Sequence, residues 1–167
     1  RQQNSATDII IQQRQMNEES RQCFLNRFDA ANEHDLVGFA VMGGIFGEGI
    51  DLKGLRLIGV IIIGVGLPQM GIERDLIKQH FRDTRVDDVF DQHRTNEGFN
   101  YAYQYPGMNR VLQTAGRVIR SEQDRGIVCL VDERFASARY RQLFPPHWTN
   151  LEVIDQHQLA AKLAVFW

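Results

Sequence analysis

Gln113, Arg117 and Arg120 follow one another at spacings of four and three in the stretch QTAGRVIRSEQDRG, residues 113–126. On a helix, at 100° per residue, these side chains fall within about a 60° arc, and Arg110 lies on the same face. The apolar side of this predicted helix consists of Leu112, Ala115, Gly116 and Ile119. Two guanidinium groups beside an amide predict a surface for an anion such as phosphate.

The same spacing has a second interpretation. Arg117 and Arg120 could be solvated, or paired with Glu122, Asp124 or another helix, at almost no energetic cost. If they instead reach a transferring phosphoryl group, an arginine finger contributes about 10³–10⁵ in rate. Spacing alone leaves both interpretations open.

A glycine-rich loop is the second candidate. The stretch GGIFGEGIDLKG, residues 43–54, holds five glycines in twelve residues and follows a predicted strand. Its backbone amides could approach an anion closely, and Glu48 and Asp51 add two carboxylates. Ligands bind at the carboxyl ends of strands in open parallel sheets, which favours this loop, although a tight structural connection is the alternative.

Other nucleotide motifs are weak or incomplete. The pair Gly64 and Gly66 follows a strand like a dinucleotide fingerprint, but the third glycine position holds Gln69. VCLVDERF resembles a magnesium-positioning strand end, yet no lysine in the chain follows a glycine, so a Gly-Lys-Ser/Thr loop is absent. Asp132 and Glu133 are therefore interpreted as structural, and the chain is not expected to hold a nucleoside triphosphate by that route.

No metal site is expected in this chain. The five histidines are scattered without an HExxH motif, and the two cysteines, Cys23 and Cys129, form no CxxC pair. These spacings exclude a structural zinc site and a four-cysteine cluster.

Strands alternate with helices along the chain, with continuously apolar strands that are typical of a parallel sheet. The predicted strands lie near 9–11, 35–44, 56–64 and 126–132. The predicted helices lie near 17–28 (with Asn17 as N-cap), 73–81, 98–121 and 137–144 (stopped by Pro145 and Pro146), and in the tail 155–167. The pattern predicts an α/β layered fold with a mainly parallel sheet, in one domain over 1–167.

The composition is that of an ordinary soluble globular protein. Of 167 residues, 43% are hydrophobic, and the net charge of −2 does not by itself indicate nucleic acid. Arginine is nevertheless strongly preferred, because three of the 19 basic residues are lysines. The longest apolar run, LIGVIIIGVGL, has eleven residues and is too short to span a bilayer, so no membrane partner is expected.

Two blocks of this chain resemble the C-terminal motor domain of the XPD/DinG family of superfamily 2 DNA helicases. GGIFGEGIDLKGLRLIGVIIIGVGLP is similar to that family's motif V, and NRVLQTAGRVIRSEQDRGIVCLVDERF is similar to motif VI. A looser likeness extends upstream through IIIQQRQMNEESRQCFLNRF and downstream through YRQLFPPHW, over most of the chain. The resemblance implies a RecA-like layered fold with a mainly parallel central sheet flanked by helices.

In this family ATP sits between two RecA-like domains, and the resemblance implies that this chain supplies the second wall. ATP and Mg²⁺ would be held mainly by a first motor domain, which in the family also carries an iron–sulfur cluster. Arg117 and Arg120 would face the γ-phosphate, and Gln113 would orient them. Glu48, Gly49 and Asp51 would form the nucleotide-binding part of motif V and link it to the bound strand.

The resemblance further implies single-stranded DNA as a partner, translocation from 5′ to 3′, and contacts to DNA at Gly44 and Gly47. Relatives often have serine where this chain has Gly47, so motif V is expected to bind DNA less strongly here. The expected context is an ATP-dependent helicase of DNA repair in the cytoplasm, associated with the bacterial nucleoid. The chain itself is expected to be an excised fragment, inactive alone.

Two rival interpretations remain. A non-catalytic nucleotide- or protein-binding α/β module could use the same glycine loops for a metabolite. A degenerate helicase-like scaffold is the other, although intact Gln113, Arg117, Arg120 and Asp51 argue against decay.

Overall fold

The computed structural model of the chain describes residues 7–29, 31, 32, 34–46, 52, 54–83, 97–119 and 123–167. Of the residues singled out above, Gly47, Glu48, Gly49, Asp51, Arg120 and Glu122 lie outside this described part. The chain forms two compact units, Arg1–Asp132 and Glu133–Trp167, which are treated separately below. The expectation of a single domain over 1–167 stays a prediction.

The first unit contains all four described strands. They are β1 (Asp8–Ile11), β2 (Leu36–Phe39), β3 (Gly59–Ile63) and β4 (Ile127–Val131). β1 pairs with β2 and β3 pairs with β4, and both pairs are parallel. The four predicted strands are thus confirmed, with β2 shorter than expected because the chain turns at Gly43, whose φ is +74°.

The helices of the first unit connect these strands. They are α1 (Glu18–Asn26), α2 (Ile72–Asp83), α3 (Glu97–Phe99) and α4 (Tyr105–Ala115), with 3₁₀ residues Gly54–Arg56 before β3. Asn17 is the N-cap of α1 as predicted, because its side-chain oxygen accepts a hydrogen bond from the Ser20 amide at 2.8 Å.

A single helical stretch from Glu97 to Ala115 includes a π segment, Asn100–Gln104, between α3 and α4. There the amide of Tyr105 donates to the carbonyl of Asn100, five residues back. Pro106 follows directly, and its ring would press on the preceding turn of a regular α-helix. The wider π turn before the proline lets the helical stretch continue into α4.

The predicted helix over 98–121 ends earlier than expected. α4 stops at Ala115, after which the amides of Arg117 and Val118 donate to the carbonyls of Thr114 and Ala115, three residues back. This tightening follows Gly116, a residue with low helix propensity. Arg117 therefore lies in the turn after α4 rather than within the helix.

The second unit is held together by aromatic contacts. Its helices are α5 (Ala138–Arg141), preceded by 3₁₀ residues Glu133–Ala136, and α6 (Gln156–Phe166). Phe135 and Tyr140 are buried, with ring centroids 6.3 Å apart. Asp155 caps α6 by accepting hydrogen bonds from the amides of His157 and Gln158. Both helices were predicted.

Candidate functional site

The loops leaving β1 and β2 meet at the carboxyl ends of these strands. The Gln12 amide donates to the Phe39 carbonyl at 2.8 Å, and the Gln12 side-chain oxygen accepts from the Val41 amide at 2.9 Å. This side chain therefore holds the start of the loop that carries the predicted nucleotide and DNA residues. The sequence interpretation did not single out Gln12, because an isolated glutamine after a strand carries no motif.

Gly43 and Gly44 form a turn directly after this point. The Gly44 amide donates to the Val41 carbonyl at 2.9 Å, and a Cβ on Gly44 would lie at that same 2.9 Å from the oxygen. The turn thus leaves no space for a side chain at Gly44, which is half-buried. At the predicted DNA-contact position, Gly44 has its amide committed to the turn itself.

The turn after β3 packs against the beginning of α4 without intervening side chains. A Cβ on Gly107 would lie 2.6 Å from the Val65 carbonyl oxygen, and a Cβ on Gly66 would lie 2.9 Å from the Gly107 carbonyl oxygen. Met42, from the loop after β2, contacts the same place, with its sulfur 3.2 Å from a Cβ on Gly66. Three segments from separate parts of the sequence therefore meet here, and we call this contact of Met42, Gly43, Val65, Gly66 and Gly107 the glycine junction.

One face of α4 fixes it in the core. Its buried residues are Gly107, Met108, Val111 and Ala115, and Val118 is buried just beyond it. The predicted apolar side was partly wrong: Ala115 is buried, but Gly116 is exposed and Ile119 is 47% exposed. The reason is the tightened turn after Ala115, which brings Val118 to the core instead and turns Ile119 outward.

The cationic side of α4 borders this buried face. Arg110 and Arg117 are half-buried, and Gln113 between them is exposed. Gln113 is thus exposed to solvent on the polar side of α4. Arg110 and Arg117 are half-buried, at the boundary between this polar side and the buried face. This arrangement suits groups that must be held in place and still reach an external anion.

Arg110 connects α4 to both glycine turns. Its Nη1 donates to the Gly66 carbonyl at 3.4 Å, and its Cδ and Nε would both lie 3.0 Å from a Cβ on Gly43. The stem and Nε of Arg110 therefore pass close to Gly43, where glycine avoids crowding and adopts a φ of +74° without strain. The sequence placed Arg110 on the arginine face, but its spacing could not indicate that it contacts the strand ends.

The π segment is joined to α2 by a polar contact. The Tyr103 hydroxyl donates to the Asp75 carboxylate at 3.4 Å, and Tyr103 is buried. Burial and the adjacent carboxylate raise the pKa of the Tyr103 hydroxyl above its ordinary value, whereas Arg74 acts in the opposite direction. The hydroxyl is therefore neutral at physiological pH and serves as a donor.

Neither a metal site nor a membrane span was found in the described part of the chain. Within the ranges given above, no three His, Cys, Asp or Glu side chains are grouped so that they could hold a metal ion. None of the described helices is both long and apolar enough to cross a bilayer.

The geometry brings together some of the sequence-predicted site residues. The turn at Gly44 and the helix bearing Gln113 are linked through Arg110, and Arg117 follows at the end of that helix. Glu48, Gly49, Asp51, Gly47 and Arg120 lie outside the described residues, so their proposed roles stay predictions.

Comparison with known proteins identifies the domain. The family profile for the helicase C-terminal domain matches residues 1–151. The regulator of telomere elongation helicase 1 homolog of Caenorhabditis briggsae is 31% identical over 137 residues, which cover 80% of this chain and 13% of that protein. The ATP-dependent DNA helicase CHL1 of Eremothecium gossypii is 30% identical over 104 residues, covering 62% of this chain and 13% of that protein.

A solved structure of an XPD helicase has the same fold. Its TM-score is 0.58 at 22% sequence identity, over 80% of this chain and 22% of that chain. This likeness, with the parallel pairing of both strand pairs, confirms the predicted RecA-like α/β fold. The chain belongs to the helicase C-terminal domain family, as its resemblance to the second motor domain of the XPD/DinG helicases predicted.

Proposed function

We propose that this chain is the C-terminal half of an ATP-dependent DNA helicase that translocates from 5′ to 3′ on single-stranded DNA. The chain spans 13% of the first two relatives described above. A first motor domain elsewhere in a longer polypeptide would hold ATP and Mg²⁺, and this chain would form the opposite wall of the cleft. The family assignment and the names of the relatives support this proposal.

The observation that carries the proposal is the position of α4. It packs on the glycine turns at the strand ends, and it bears Gln113 on its wet side before leading into Arg117. Because ligands of open parallel sheets gather at the carboxyl ends of the strands, a helix that packs on these ends and leads into an arginine suits a phosphate site.

Each residue then has a role. Arg117 and Arg120 stabilise the charge that develops on the γ-phosphate during transfer to water, as arginine fingers do in related nucleotide hydrolases. Gln113 orients them. Glu48, Gly49 and Asp51 relate the nucleotide to the DNA strand, which contacts the loop near Gly44 and Gly47.

In the proposed cycle of ATP hydrolysis, the two motor domains close on bound ATP and separate after it is hydrolysed. Bound ATP carries negative charge that favours the closed arrangement of the two motor domains, because the arginines of this chain contact it there. Cleavage of the bond to the γ-phosphate and loss of phosphate remove that attraction, and the domains separate. Contacts to single-stranded DNA are directed mainly to phosphates, so they are salt-sensitive and largely independent of base sequence.

Substitution of Arg117 tests this function. In a polypeptide that joins this chain to a first motor domain, Arg117→Ala is expected to lower DNA-stimulated ATP hydrolysis at least about a hundredfold. ATP binding should be largely kept, since the finger acts chiefly in the transition state. Steady-state turnover and nucleotide titration measure the two effects.

Arg141→Ala is the matched control, because Arg141 is an exposed arginine in the second unit. It should leave both quantities within about twofold of wild type. Normal turnover by Arg117→Ala would contradict the assignment of Arg117 as a finger.

A further inference from the structure

The glycine junction brings together three segments that are far apart in the sequence. Met42 and Gly43 belong to the loop after β2, Val65 and Gly66 to the turn after β3, and Gly107 to the first turns of α4. A Cβ on Gly107 would lie 2.6 Å from a backbone oxygen, and a Cβ on Gly66 would lie 2.9 Å from one, so neither position has room for a side chain. Interiors packed this closely transmit displacement, because the atoms have no free volume to absorb it.

Arg110 lies across this junction from one side. Its hydrogen bond to the Gly66 carbonyl and its contact with Gly43 connect α4 to both turns through one side chain. The arginine side chain suits this position, since its stem and Nε pass close to Gly43 while Nη1 donates to the Gly66 carbonyl. Lysine could not provide both contacts with the same geometry.

Arg110 and Arg117 are seven residues apart, which is close to two helical turns along α4 and the turn after it. Electrostatic attraction between a bound anion and Arg117 therefore acts on α4, whose other end is held in place at Gly107. Arg110 stands between these two points. Any small tilt of α4 moves its guanidinium against the turn at Gly43.

We infer that Arg110 is a positioning residue that couples the arginine-bearing helix to the loop beginning at Gly43. It transmits the nucleotide state sensed by Arg117 to the loop expected to contact DNA, and it transmits DNA binding in the reverse direction, because such coupling is reciprocal. This inference rests on the proposed helicase function and adds the route by which the two ligands communicate. The role inferred for Arg110 rests on its contacts with Gly43 and Gly66 and requires no direct contact with nucleotide or DNA.

The test is the ratio of DNA-stimulated to DNA-free ATP turnover, measured on the polypeptide that includes a first motor domain. A purely structural defect reduces the amount of active protein and lowers both rates equally, so the ratio does not change. Loss of coupling lowers the ratio. We expect Arg110→Ala to lower it about tenfold, within the range that coupling mutations reach, while Arg141→Ala leaves it unchanged.

Two further variants sharpen the result. Arg110→Lys keeps the charge and an aliphatic stem over Gly43 without the planar fork, and its ratio should fall between those of wild type and Arg110→Ala. Gly43→Ala places a Cβ 3.0 Å from the Arg110 side chain, so it should also lower the ratio. In the Arg110→Ala background this crowding is absent and only the backbone strain of alanine at a φ of +74° remains. That strain lowers the amount of active protein and hence both rates, so Gly43→Ala should change the ratio less than about twofold there.

The outcomes separate the two proposals. An unchanged ratio in Arg110→Ala, or equal effects of Gly43→Ala in both backgrounds, would overturn the coupling and leave the helicase function standing. A wild-type polypeptide whose ATP turnover DNA does not stimulate would contradict the proposed function and the coupling with it. A lowered ratio with a non-additive double variant supports the inference.

Discussion

At the scale of single residues, two kinds of constraint act at the site. Arg110, Gln113 and Arg117 are constrained by their chemistry, because a forked cation and an amide suit an anionic ligand. Gly66 and Gly107 are constrained by space, because a side chain at either would collide with backbone atoms. The first kind is visible as residue type and spacing, whereas the second depends on contacts between distant parts of the chain.

Gly107→Ala measures the second kind of constraint. The added Cβ would lie 2.6 Å from the Val65 carbonyl oxygen, a backbone atom that cannot rotate away. Overpacking costs about 1–3 kcal/mol, and a clash this close to a backbone atom belongs to the upper part of that range, about 2–3 kcal/mol, whereas the better helix propensity of alanine returns about 1 kcal/mol. The free energy of unfolding, from urea denaturation followed by circular dichroism, is therefore expected to fall by about 1–2 kcal/mol.

Gly71→Ala serves as the control. A Cβ on Gly71 meets nothing within 4 Å, and its φ is not positive. Its free energy of unfolding should stay within about 0.5 kcal/mol of wild type. A Gly107→Ala chain as stable as Gly71→Ala would show that α4 is not held against the turn after β3.

At the scale of elements, α4 is positioned from three directions. Its buried face packs in the core, its first turns contact the turn after β3, and the π segment before it is tied to α2 through Tyr103 and Asp75. The early end at Ala115 is what places Arg117 in a turn. Sequence periodicity alone extended the helix to residue 121, because the apolar spacing continues through Val118 and Ile119 while the backbone hydrogen bonding changes.

The link between α2 and the π segment predicts a pH dependence. Because the pKa of Tyr103 is raised in the folded chain, the folded state keeps this proton to higher pH than the unfolded state. The unfolded state then binds fewer protons above about pH 10, so the contribution of Tyr103 to stability is complete below that pH and falls as the pH rises further. The free energy of unfolding, measured at about pH 9 and about pH 11, should show this loss.

Two substitutions test that origin. Tyr103→Phe removes the titrating group, so the part of the alkaline loss that belongs to Tyr103 should disappear. Asp75→Asn keeps an acceptor but removes the negative charge, so it should make the loss smaller. If both variants lose as much free energy of unfolding at alkaline pH as the wild type does, the pH dependence comes from other groups.

At the scale of the whole molecule, the chain has the fold and family of a helicase C-terminal domain. An isolated second motor domain should bind ATP very weakly, because its arginines complete a nucleotide site that is built mainly by the first motor domain. A metabolite-binding module of the same fold should instead bind nucleotide on its own. Affinity of the isolated chain separates the two interpretations.

Calorimetric titration of the isolated chain with ATP and Mg²⁺ is expected to give no measurable binding. Binding and DNA-stimulated hydrolysis should both appear when a first motor domain is supplied in the same polypeptide. Tight binding by the isolated chain, with a dissociation constant of about 1 μM or below, would favour the metabolite-binding module.

The strand faces give a second prediction at this scale. Ile61 and Ile63 of β3 are 67% and 73% exposed, and Ile62 between them is 3% exposed. On the same face, Ile63 pairs with Val131 of β4, so exposed apolar side chains adjoin across the two strands. Exposed apolar patches of this kind promote self-association and the binding of hydrophobic dyes.

The same substitution on opposite faces of β3 tests this. Ile63→Lys is expected to reduce dye fluorescence and self-association, seen by sedimentation, with little change in stability. Ile62→Lys places an unpaired charge in the core and should unfold the unit, since such burial costs several kcal/mol. If the two variants changed stability and self-association equally, Ile62 and Ile63 would not lie on a buried and an exposed face of β3.

The amino-acid sequence was enough to predict the α/β class, the parallel strands, most helix positions and the family. These features rest on local periodicity, on turn residues and on residue types at fixed spacing, all of which are written along the chain. Gln113 and Arg117 could be chosen for the same reason. Asn17, predicted as a cap from its position alone, is confirmed by a local hydrogen bond.

The contacts of Arg110 with Gly43 and Gly66, the close approach of Gly107 to Val65, and the role of Gln12 became apparent only in the folded chain. Each joins residues between 29 and 67 positions apart. Such pairings depend on how the strand ends and α4 pack against one another, and packing is a property of several segments at once. No local pattern in one segment carries that information, which is why the spacing placed Arg110 on the arginine face without indicating its contacts with the glycine turns.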